Sequence, residues 1–100
     1  MSKDIVAEIF KYSDKIKNDR TYVDAYLHMR SEEAELYEEI QAAMQNNKSG
    51  DDGVVGEAID IILCALDIIR LYDNNITPEE VTKYAIKKAE KWKEKYHQGK

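Results

Sequence analysis

The chain has 100 residues, 43% of them hydrophobic and 35% charged, with a net charge of −5. That length fits one domain; the composition is too apolar for a disordered chain and too charged for a membrane protein. An acidic balance works against general nucleic-acid binding, and the longest apolar run, residues 61–66, is far short of the ~18 residues a membrane span needs.

No segment alternates apolar and polar residues for long enough to argue a strand, whereas helical spacing recurs throughout. Ile5, Ile9, Tyr12 and Ile16 predict a first helix over about residues 3–17, followed by a polar break at 18–20. A second helix is expected from near Thr21 to about residue 46, with Ala25, Met29, Leu36, Ile40, Ala43 and Met44 on its apolar positions. Residues 46–53, NNKSGDDG, read as a loop. A third helix follows over about 54–72, with Asp51 or Asp52 as its cap. The fourth start is the best marked: Thr77-Pro78-Glu79-Glu80 places Thr at the N-cap, Pro at the first position and Glu at the third. That helix should run to about Tyr96, with 97–100 frayed. The expectation is a single all-α domain over 1–100, a four-helix bundle-like subunit.

Charge is distributed unevenly. Residues 31–60 carry nine acidic groups and one basic, while 79–100 carry seven Lys against four Glu. The third helix is apolar over most of its circumference, leaving a wedge of Glu57, Asp60, Cys64 and Asp67. Three shorter neighbours offer such a helix too little cover, so a second subunit is expected to supply the rest, in a dimer or tetramer.

Glu57 and Asp60 lie one helical turn apart, so both project from one face and repel. On the most apolar helix they also carry a desolvation cost, which a divalent cation would offset. Glu32 and Glu35 repeat the spacing on the second helix, in a stripe that extends to His28 and Glu39. Across an antiparallel hairpin the two pairs can face each other, and four carboxylates suit a hard cation, Mg²⁺ or Mn²⁺. The competing reading is a solvated acidic face, which Glu33, Glu38 and Glu39 fit well. A di-iron site needs two Glu-x-x-His motifs, and only Glu94–His97 matches. No Cys/His cluster suits zinc and no Gly-rich loop ends in the Lys-Ser/Thr of a phosphate loop. Cys64 has no evident base and reads as a small apolar filler.

The pattern resembles the MazG-like, all-α nucleoside triphosphate pyrophosphohydrolases, whose motif is Glu-Glu-x-x-Glu, a variable spacer, then Glu-x-x-Asp. Here Ser31-Glu32-Glu33-Ala34-Glu35 is followed, after 21 residues, by Glu57-Ala58-Ile59-Asp60. The apolar IILCALDII helix, the NNITPEEV turn and a Lys-rich closing helix also match, so the resemblance spans about residues 20–95. It implies Mg²⁺ ligands at Glu32, Glu35, Glu57 and Asp60; Ser31 stands where the family has its first Glu. It implies cleavage of a nucleoside triphosphate between the α- and β-phosphates, giving monophosphate and pyrophosphate; phosphoribosyl-ATP and dUTP are the alternative substrates. Glu35 is the expected proton acceptor, and Lys87 and Lys91, four apart on one face, are the candidate phosphate-binding residues. The closing helix has no matching Asn or Arg. A non-catalytic helical interaction protein is the reading from another class. A lone Cys and the charged residues Lys3, Asp4 and Glu8 near the start lead to the expectation of a cytoplasmic protein that binds neither membranes nor, stably, nucleic acids.

Overall fold

A computed structural model describes residues 4–16, 19–45 and 53–98. It contains four helices: α1 (Ile5–Lys15), α2 (Tyr22–Met44), α3 (Gly53–Tyr72) and α4 (Pro78–Gln98). Among the described residues there is no strand, and no helix is long and apolar enough to cross a membrane. The expected caps at Asp51 or Asp52, most of the 46–53 loop and the outermost residues of the first predicted helix lie outside the described residues.

The helix starts follow from local chemistry. Asp4 caps α1, its carboxylate accepting from the amides of Val6 and Ala7 at 3.0 and 3.2 Å. Thr21 caps α2, and Asp24 reaches back to the Thr21 amide at 2.9 Å. Thr77 and Glu80 form the same reciprocal pair at α4, at 2.9 and 3.1 Å. Each box satisfies amides that the first helical turn would otherwise leave unbonded. α3 opens on Gly53 at φ 65°, a left-handed conformation in which a Cβ would clash.

α2 and α3 form the expected antiparallel hairpin, the tightest packing in the subunit. The Tyr22 and Tyr72 rings meet edge to face, 5.1 Å between centroids, and join the start of α2 to the end of α3. α1 lies against α3 and touches α4, while Leu66 and Ile69 of α3 line a cavity with Val81, Tyr84 and Ala85 of α4. Arg70 ties this end together. It donates to both Asp14 oxygens at 2.9 and 2.8 Å, donates to the Asn74 carbonyl at 2.9 Å, and sits over the Phe10 ring.

The fold is open. Its radius of gyration is 15.9 Å, against about 13 Å for a compact chain of this length. Among the described residues the buried apolar side chains are Phe10, Ala25, Cys64 and Val81. The α3 helix faces the opposite way from a simple amphipathic helix. Its polar wedge turns inward, with Glu57 buried and Asp60 and Asp67 half-buried, while Val55, Ile59 and Ile62 are exposed. Part of the apolar arc therefore lies exposed.

Candidate metal centre

The hairpin brings Glu32 of α2 against Glu57 and Asp60 of α3. One carboxylate oxygen from each of the three lies within 4.8 Å of the other two. The spacing places them there: Glu57 and Asp60 occupy adjacent turns of one α3 face, and that face packs on α2. Glu57 is only 8% exposed and the Glu32 side chain 14%. The reading as a solvated face does not describe these residues, although it does describe Glu33 and Glu38, which are exposed. Glu39, expected among the solvated residues, is half-buried.

Glu35 stands at the edge of the cluster. It is exposed and contributes no oxygen to the three-carboxylate group, but it shares a hydrogen bond with Glu32. That bond pushes the Glu32 carboxyl up to about 7; burial, the charges of Glu35 and Asp60, and a hydrogen bond with Asp60 act in the same direction. A cation seated among these carboxylates would displace the proton that the raised Glu32 carboxyl takes up in mildly acid solution.

The donor set fits a hard divalent ion. Opposite oxygens around Mg²⁺ are roughly 4 Å apart, from ligand distances of about 2.0–2.1 Å. Only one pair among three ligands can be opposite and neighbouring oxygens are roughly 3 Å apart, so the carboxylates, within 4.8 Å of one another, would have to draw together to share one ion.

An adjoining cavity of about 220 Å³ opens between α1, α2 and α3. Its polar floor is Asp67, which accepts from the Ser13 hydroxyl and from both terminal nitrogens of Arg20. Burial raises the Asp67 pKa, but the hydrogen bonds from Arg20 and Ser13 and the guanidinium charge outweigh it and hold the carboxyl below the usual range. His28 lies between cavity and cluster. One ring nitrogen is 4.0 Å from Glu32 and the other 3.7 Å from the Cys64 sulfur. Burial, then the charges of Glu32, Asp67 and Asp60, push the Cys64 thiol up, so it stays protonated and serves as the expected filler.

The sequence signalled Asp67 as the last member of the α3 wedge but did not reveal its partners. Ser13 and Arg20 fall on another helix and a linker, and no spacing rule relates them to it. Lys87 and Lys91 are exposed on α4, whose first half lines a cavity with Leu66 and Ile69 of α3, away from the carboxylate cluster at Glu57 and Asp60. The fold thus brings Glu32, Glu57 and Asp60 together with Glu35 beside them, and leaves both lysines apart. No family model, no curated protein and no solved structure matches this chain.

Proposed function

We propose that the chain is a Mg²⁺-dependent nucleotide pyrophosphohydrolase of the MazG-like kind, cleaving a nucleoside triphosphate between its α- and β-phosphates. The observation that carries this reading is the convergence of Glu32, Glu57 and Asp60, with Glu57 buried on the helix that is otherwise the most apolar. Burying a third carboxylate among like charges is costly, and a cation accounts for that cost where a solvated surface does not. Mn²⁺ suits the same oxygens.

Glu32, Glu57 and Asp60 would hold the ion, with Glu35 completing the set or acting beside it. A bound divalent ion polarises phosphate oxygens and acidifies water. Glu35, exposed at the edge of the cluster, would accept a proton from an attacking water. The cavity floored by Asp67 and walled by Tyr12 would receive the nucleoside end, its carboxylate and guanidinium meeting polar ring edges. Lys87 and Lys91 would neutralise the leaving pyrophosphate only if α4 approached the cluster, as it does not within one subunit.

The test is pyrophosphate release from a panel of nucleoside triphosphates, phosphoribosyl-ATP and dUTP, with and without Mg²⁺. Wild type should release it only with the ion, and Glu57→Gln and Asp60→Asn should each lower the rate at least about a hundredfold. No release from any member, or release indifferent to both substitutions, leaves the second reading. That reading is a non-catalytic helical interaction module, and the exposed apolar side chains on every helix favour it.

A further inference from the structure

Among the described residues, the aromatic side chains in the C-terminal half of α4 lie largely in solvent. Val81 is buried, but Trp92 and Tyr96, which continue the same helical face, are each 65% exposed. Their rings pack edge to face on each other, 5.9 Å apart. Lys88, Lys91 and Lys95 border this aromatic face and are likewise exposed. The result is an amphipathic half-helix, aromatic in the centre and cationic at the rim.

A surface of the opposite character lies on α2 of the same chain. That helix carries six carboxylates against one Arg. Its outward stripe of Tyr37, Ile40 and Met44 is 62%, 39% and 79% exposed, with Glu33 and Glu38 exposed alongside. Within the subunit α4 approaches α1 and never α2, so the two surfaces cannot meet there.

We infer that the C-terminal half of α4 docks on the outer face of α2 of a second copy of this chain, placing Trp92 and Tyr96 against Tyr37, Ile40 and Met44, with the lysines opposite Glu33 and Glu38. A two-fold axis makes the contact twice, since each copy supplies one α4 and one α2. Five apolar side chains from each copy, at on the order of 100 Å² apiece, bury about 1,000 Å², the scale a specific interface needs. Charge complementarity selects the partner: a cationic aromatic helix fits an acidic apolar one, and this chain carries both. None of these residues belongs to the carboxylate cluster; Lys91 alone among them also has a candidate role in the proposed activity, and the readout is therefore mass rather than turnover.

Charge exchange on the full chain tests it. In one variant Lys88, Lys91 and Lys95 become Glu; in the other Glu33 and Glu38 become Lys. Far-UV circular dichroism confirms that each is helical, and sedimentation equilibrium at low salt reads mass. Wild type should be dimeric at micromolar concentration. Each variant alone then opposes like charges and should self-associate at least about a hundredfold more weakly. An equimolar mixture restores opposite charges at both contacts and should form the heterodimer. Three results overturn the inference: a wild type monomeric at 100-fold higher concentration, variants that dimerise as wild type does, or a mixture that stays monomeric.

Discussion

Glu32 and Glu35, one turn apart on α2, share a hydrogen bond that pushes the Glu32 carboxyl up to about 7. The folded chain therefore holds a proton there more tightly than the unfolded chain, whose Glu titrates near 4.5. Stability from this group is full below pH about 4.5 and is lost as pH rises through about 7. In chelator, the melting temperature should fall between pH 5 and pH 8, and Glu32→Gln should flatten that fall. A wild-type profile parallel to that of the variant would contradict the assignment.

Divalent ions should reverse the effect. Mg²⁺ or Mn²⁺ at a hundredfold excess over its dissociation constant stabilises by about 2.7 kcal/mol, if it binds only the folded chain. The gain should disappear in Glu57→Gln and should not be reproduced by sodium chloride at equal ionic strength. Thermal denaturation across a metal titration measures both.

Asp67 should respond to acid with the opposite sign. Its folded pKa is depressed, so the stability it gives is present above the unfolded value near 4 and lost as pH falls through the folded one. Asp67→Asn should cost about 1–3 kcal/mol at neutral pH, because Ser13 and Arg20 lose a charged acceptor. Urea unfolding at pH 7 and at pH 3 should show the variant's deficit narrowing in acid.

Arg70 should not tolerate Lys. One ammonium cannot bridge both Asp14 oxygens, the Asn74 carbonyl and the Phe10 ring. Arg70→Lys is expected to cost about 1 kcal/mol, a modest figure because the Asp14 side chain is half exposed. Hydrogen exchange should quicken in α1 and in residues 73–77 while the α2–α3 hairpin stays protected.

Where the information is local, the sequence was easily read. The Thr77–Glu80 box marks a helix start within four residues, and the three-residue spacing of Glu57 and Asp60 fixes their common face. The hairpin could be inferred because two long helices flank one short linker. The direction in which α3 turns could not. Its wide apolar arc pointed to burial on several sides, but only packing shows that the narrow polar wedge faces α1 and α2. The course of α4 was equally hidden. Placing Lys87 and Lys91 near the phosphates depends on where α4 goes after residue 77, and the cation–carboxylate clamp at Arg70 helps set that course from α1, 56 residues away. The Ser13–Asp67–Arg20 network is likewise a product of tertiary structure, since its members are separated by up to 54 residues.

The buried Glu57 also bears on how the chain can evolve. A leucine at that position would relieve like-charge repulsion and extend the apolar surface of α3, so selection for stability alone would favour the exchange. In the proposed metal centre the carboxylate is retained for its charge. Selection for thermostability without selection for activity should therefore remove Glu57 among the first changes, whereas exposed acids such as Glu33 should persist.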